Sequence, residues 1–111
     1  MANKYWFANN PDSRVLAGSA IEDMAVIDAG EEATFDVTVT GAKLGDMIVG
    51  LSWSINLDPD VLVSAHISAA NTVTVVVTNA HASVATANFA SATVRVLILP
   101  SEGIDSIIAG M

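Results

Sequence analysis

Between Val61 and Val77 the chain reads V-L-V-S-A-H-I-S-A-A-N-T-V-T-V-V-V, two alternating apolar runs around a small polar break. Val61, Val63, Ala65 and Ile67 share one face of an extended chain, and Val73, Val75 and Val77 share one after the break. Successive side chains of a strand point to opposite faces. The pattern therefore predicts a β-hairpin turning at Ser68, Ala69, Ala70 and Asn71, and with its β-branched residues it places the chain in the all-β class.

The same period recurs on both sides. Thr34 to Thr40 reads as a strand with Phe35, Val37 and Val39 inward and Thr34, Asp36, Thr38 and Thr40 outward. After a loop at Gly41 to Gly45, Asp46 to Trp53 places Met47, Val49, Leu51 and Trp53 on one side, while Ile48 suggests that the other side is partly covered. Asn56 to Asp60 is a turn, where Pro59 lacks the N–H a ladder needs. Ala92 to Leu99 is the last strong strand, with Val94, Val96 and Ile98 on one face and Arg95, Leu97 and Leu99 on the other. Asn79 to Ala92 reads as a loop rich in Ala, Ser, Thr and Asn, with an optional short strand at Val84 to Phe89.

The two ends are less regular. Residues 1–30 read as an N-terminal arm with little regular structure and one or two short pairings. Asn9, Asn10, Pro11, Asp12 and Ser13 mark a turn or loop. Ser19 followed by Glu22 could open a short helix as a capping box. Residues 31–100 form the expected β-sandwich domain. In the tail, residues 101–111, Ile104, Ile107, Ile108 and Met111 have a helix-like spacing. Five firm strands with turns every 8–12 residues argue for a small antiparallel, jelly-roll-like sandwich.

Composition narrows the function classes. The chain has 111 residues, enough for one domain with a thin core. Hydrophobic residues make up 52% and charged residues 14%, against about a quarter charged in ordinary soluble domains. Part of the apolar surface is then expected to be covered by a partner or by copies of the chain. The formal charge is −8, with Lys4, Arg14, Lys43 and Arg95 as the only bases. That balance argues against nucleic acid, whose phosphates need basic residues, and against an anionic membrane. There are no cysteines, so disulfides and thiolate metal sites are excluded. The N-terminal residues M-A-N-K-Y-W-F lack a signal-peptide core, and no run approaches the roughly 20 apolar residues of a membrane helix. Synthesis in the cytoplasm is the expectation.

Candidate chemistry is sparse. His66 falls on the outward face of its strand and His81 in a loop, with no nucleophile motif beside either. Asp58 and Asp60 flank Pro59, which turn composition explains more simply than paired carboxylates for hydrolysis. No catalytic, cofactor-binding or metal-binding set is expected. Glu22, Asp23, Asp28, Glu31, Glu32 and Asp36 run without a base between Arg14 and Lys43. They are a cation site without EF-hand spacing, a patch for a basic partner, or a solvated face. Tyr5, Trp6 and Phe7 hold three of the six aromatics; they either plug the end of the sandwich or meet another molecule.

The segment Gly45 to Leu99 contains G-D-M-I-V-G-L-S, then L-V-S-A-H-I-S-A-A-N-T-V-T-V-V-V-T-N, then A-S-A-T-V-R-V-L-I-L. It resembles a module recurrent in structural proteins of tailed bacteriophages, in which V-S-A-x-(V/I)-S-A-A-N-T-V-T-V follows a Gly-Asp strand start and an Arg-containing strand closes the unit. The resemblance covers about half the chain and concerns a fold signature rather than an active site. Such modules occur in capsid decoration (cement) proteins, head fibres and tail-fibre parts. A short acidic form without a stalk looks most like a cement protein. The resemblance implies a non-enzymatic homotrimer without cofactors on the outer capsid surface of the virion, which binds the major capsid protein. Tyr5, Trp6, Phe7, Ile104, Ile107, Ile108 and Met111 are then the expected contacts to the capsid or a neighbouring subunit. The rival expectation is a receptor- or carbohydrate-binding module of a fibre or baseplate. A small hydrolase is the remote third.

Overall fold

The computed structural model describes residues 15–86 and 89–110. Six strands and one helix follow one another along the chain: β1 (Leu16–Glu22), β2 (Glu32–Thr38), β3 (Met47–Trp53), β4 (Val61–Ala69), β5 (Thr72–Asn79), β6 (Ala92–Leu99) and α1 (Ser101–Ala109). The strands form two antiparallel three-stranded sheets, ordered β1–β6–β3 and β2–β5–β4. Across the sandwich β1 lies against β2 and β3 against β4. The class is all-β, as the alternation requires. The described residues supply six strands, fewer than the eight of a jelly roll.

The alternating positions become the core. Val37 of β2 and Val39 just after it, Val73, Val75 and Val77 of β5, and Val94, Val96 and Ile98 of β6 are all buried. Each such side chain contributes about 1.5–3 kcal/mol by leaving water. Phe35 and Trp53 meet edge to face at 5.7 Å between ring centroids, filling one end of the layer with rings instead of aliphatic chains.

The hairpin turns where the polar break stands. Asn71 takes a left-handed conformation (φ 62°), which asparagine tolerates better than most residues. Its side-chain Oδ1 accepts from the Gly41 N–H at 2.8 Å, and its backbone N–H donates to the Ala42 carbonyl at 2.8 Å. The β4–β5 turn is thereby stitched to the loop that follows β2.

Three expectations are corrected. Residues 16–22, read as part of an arm, form a full strand paired with all of β6 from Leu16↔Ile98 to Glu22↔Ala92. Ser19 lies inside this strand, so no helix opens there. Periodicity was hidden because β1 places Gly18 and Ala20 inward, residues too small to announce an apolar face. In β3 a bulge inserts Val49 between Ile48↔Ile98 and Gly50↔Leu97. It turns Met47 and Val49 outward, 48% and 47% exposed, and leaves Ile48, Leu51 and Trp53 against the core. A single extra residue reverses the faces because the strand period is two. Between β5 and β6 the described residues 80–86 and 89–91 carry no strand, so the optional strand at Val84 to Phe89 does not start.

Gly18 of β1 packs tightly against the end of β2. A Cβ there would stand 2.7 Å from Val39 Cγ2 and closer still to the Thr38 carbonyl oxygen. Gly18→Ala is expected to cost about 1–3 kcal/mol, the range for overpacking a filled core. Urea unfolding should show a lower midpoint with an unchanged slope.

Candidate functional site

The candidate chemical residues are scattered. His66 is exposed on the outer face of β4, opposite Thr74. Its neighbour across β5 is Asp36, whose carboxylate accepts from the Thr74 hydroxyl at 2.9 Å. Glu22, Asp23, Asp28, Glu31 and Glu32 border an open cleft of about 290 Å³ between β1 and β2. Among the described residues no three His, Asp or Glu side chains are grouped closely enough to hold a metal ion.

The structure does bring His81 beside Asp58 and Asp60, from which it is separate in sequence. Asp58, Asp60 and His81 border one cleft of about 300 Å³ with Asn79, Val84 and Thr86. The arrangement there is a hydrogen-bonded brace. His81 Nδ1 accepts from the backbone N–H groups of Ser83 and Val84, each at 3.1 Å, so that nitrogen closes a turn. Asn79 is 2% exposed and satisfies three backbone groups. Its Nδ2 donates to the Ile27 carbonyl (3.1 Å) and the Val84 carbonyl (2.9 Å), and its Oδ1 accepts from the His81 N–H (3.1 Å). Thr86 completes the brace: its Oγ1 accepts from the Ile27 N–H at 2.9 Å, and its own N–H donates to the Ile27 carbonyl at 3.0 Å. Ile27 is held in the core by these contacts, with Met24 buried nearby in the chain, and nothing in their local periodicity announced it.

At the opposite end α1 is anchored through Asp46. Its carboxylate accepts from the N–H of Lys43 at 3.0 Å and of Ser101, the first helical residue, at 2.8 Å. A negative group at a helix start is favourable. Lys43 and Glu102 form an ion pair on the surface. The hydrogen bond to Glu102 raises the Lys43 pKa, and the same bond lowers that of Glu102. Whatever the pair contributes is lost as pH falls through the lowered Glu102 value, or rises through the raised Lys43 value. Both groups are solvent-exposed, so screening keeps that contribution small.

The expected contact residues divide. Tyr5, Trp6, Phe7 and Met111 lie outside the described residues. Ile104 and Ile107 are half-buried on α1, and Ile108 is 60% exposed. The helix-like spacing of the tail is therefore a real helix, with one apolar side chain in water.

The clearest surface feature is the difference between the two outer faces. On the β2–β5–β4 sheet the cross-strand rows read Glu32–Thr78–Leu62, Thr34–Val76–Ser64 and Asp36–Thr74–His66, mostly polar and tied by hydroxyls. On the β1–β6–β3 sheet they read Ala17–Leu97–Gly50 and Ser19–Arg95–Ser52, with Ile21 beside Thr93 and Met47 beside Leu99. No carboxylate stands among these outward positions, in a chain with twelve acids. Ile21 is 75% exposed and Leu97 42%. A shallow groove of about 630 Å³ crosses this face. Alternation predicted Leu97 outward, but the bulge that adds Met47 and Val49 to the same side was not legible.

No helix among the described residues is long and apolar enough to cross a membrane. No family model matches the chain, and neither the curated proteins nor the solved structures yield a match.

Asn79→Ala should cost about 1–3 kcal/mol, the range for stranding buried backbone groups. Amide exchange at Ile27 and His81 should quicken by more than global destabilisation predicts. Equal quickening at β5 and β6 would show that the brace has no local role.

Proposed function

We propose that the chain is a non-enzymatic capsid decoration protein of a tailed bacteriophage. It docks on the outer capsid surface and stabilises contacts between major capsid protein subunits, as a homotrimer. The observation that carries this reading is the acid-free apolar outer face of the β1–β6–β3 sheet, set against the polar face behind it. A chain of charge −8 is repelled by most acidic surfaces, and this face is where another protein can approach without meeting a carboxylate. Exposed apolar patches rimmed by polar residues mark interaction sites. The exposed Ile108 and the segment Tyr5 to Phe7 would add to the contact.

Such a protein needs no bond-making chemistry. A ligand that binds only the assembled lattice stabilises that lattice by mass action. A rigid sandwich without disulfides suits the task, because little ordering entropy is lost on docking. The resemblance of Gly45 to Leu99 to phage structural modules supplies the identity of the partner. The carbohydrate-binding reading is less well supported. It calls for exposed rings along a groove, whereas among the described residues Phe89 is buried and Phe35 and Trp53 pack against the core.

Co-sedimentation with empty shells of the source virus tests the reading. Saturable binding at a fixed ratio to coat subunits is expected. Leu97→Asp should weaken it by at least tenfold, equivalent to about 1.4 kcal/mol. Absence of binding to the shell sinks the proposal.

A further inference from the structure

The sandwich has two edges, β1 against β2 on one side and β3 against β4 on the other. The first is lined with acids. Glu22 ends β1, Glu32 and Asp36 lie in β2, and Asp23, Asp28 and Glu31 border the cleft between them. Charge on an edge strand discourages another strand from pairing with it. The second edge has no such guard: Met47–Trp53 and Val61–Ala69 contain no Asp, Glu, Lys, Arg or Pro. Val63 is 37% exposed although it shares the core-facing side of β4 with Ile67 and stands opposite Val77, which is fully buried. The core is therefore open to water along β4. A bulge at Val49 interrupts β3, which leaves β4 as the strand better able to accept another.

The backbone of β4 tells the same story. The Ala80 N–H donates to the Asp60 carbonyl, one step before the Val61↔Asn79 pair. Bonded pairs alternate in an antiparallel ladder, so Leu62, Ser64 and His66 turn their N–H and C=O groups to β5. Those of Val61, Val63, Ala65 and Ile67 turn to the edge. The Val61 N–H is used within the preceding turn, on the Asp58 carbonyl. Among the described residues, no backbone group pairs with the edge-facing N–H and C=O of Val63, Ala65 and Ile67. The residues that face the core are thus also the ones whose backbone groups await a partner. Any antiparallel register that keeps apolar sides together on both strands also matches donors to acceptors.

We propose that this edge pairs with the same edge of a second copy of the chain, β4 antiparallel to β4, about a twofold axis at right angles to the sheets. The axis also brings β3 beside its copy, so both layers continue across the contact and Val63 is covered. A single extended peptide would cover one layer only, whereas a second copy presents two layers at the same spacing. Two chains of charge −8 repel, and on this edge they meet strand to strand without a carboxylate in either strand. Seven residues of strand, in two layers about 10 Å apart, give an edge of roughly 23 by 20 Å, or about 460 Å². Stable interfaces take about 800 Å² per partner, so the contact is expected to dissociate on dilution. The inference goes beyond the capsid reading and leaves its docking face open. The axis points the two β1–β6–β3 outer faces the same way, and a twofold contact of this kind joins one trimer to the next.

The test uses the full chain without shells, so its failure is separable from failure to bind a capsid. Molar mass is measured by light scattering at chain concentrations up to about 1 mM, which reveals a dissociation constant of that order. Val63→Lys places an inward-pointing charge on the edge, the device by which natural edge strands refuse partners. It should lower the mass at least twofold. Thr34→Lys, an exposed position on the opposite edge strand β2, should leave it unaltered. An unchanged mass in Val63→Lys, or an equal fall in both variants, overturns the proposal. Amide exchange in the unsubstituted chain gives a second readout that does not depend on how Val63→Lys folds. Exchange at Val63 and Ala65 should slow at least tenfold from dilute to concentrated protein. Exchange independent of concentration overturns the pairing. Slowing only when shells are added gives the edge to another protein's strand and overturns it too.

Discussion

The apolar layer between β5 and β6 is the contact on which the rest of the structure depends. These are the two central strands, each hydrogen-bonded on both sides. Val73, Val75 and Val77 are closed off from water, and Val94, Val96 and Ile98 almost entirely so. Branched chains of one size fill a thin sandwich evenly, with little rotamer entropy to lose. Edge strands can then be poorer in apolar residues, as β1 is, because pairing to β6 supplies their backbone partners.

The polar residues inside this fold hold its ends. Asn79 closes the last position of β5 and ties Ile27, Val84 and His81 to it, while Asn71 ties the hairpin to the loop after β2. Loops bring backbone groups to the rim of a core where ladder partners run out. A buried amide side chain with both donor and acceptor groups answers several of them at once. The cleft near Asp58, Asp60 and His81 borders that brace, which accounts for Asn79, His81 and Thr86 in its lining.

Surface character follows from the same sandwich. Two sheets have two outer faces, and an isolated domain in water has no physical reason to make one polar and the other acid-free. The contrast between the Thr/Ser-rich face and the Leu97–Arg95 ridge is therefore the feature that most constrains function. On the reading proposed above, that contrast assigns the docking face to the β1–β6–β3 side.

Hydrophobic alternation by itself determined the class, five of the six strands among the described residues and most of the core. Phe35 to Val39, the hairpin from Val61, and Val94 to Ile98 fall where period-two burial puts them, because β-branched residues on a buried face leave a plain signal. The helical spacing of Ile104, Ile107 and Ile108 was equally plain. Tertiary structure decided what a local period cannot carry. β1 gained its place by pairing with β6, although its small inward residues hide the alternation. The bulge at Val49 swapped the faces of β3, since one extra residue inverts a pattern of period two. Ile27, Asn79 and Thr86 met only when loops distant in sequence closed on one another. The acid-free face exists because three strands, none unusual alone, were placed side by side: hydrogen-bonded register determines which residues become neighbours, and register is a property of the folded sheet.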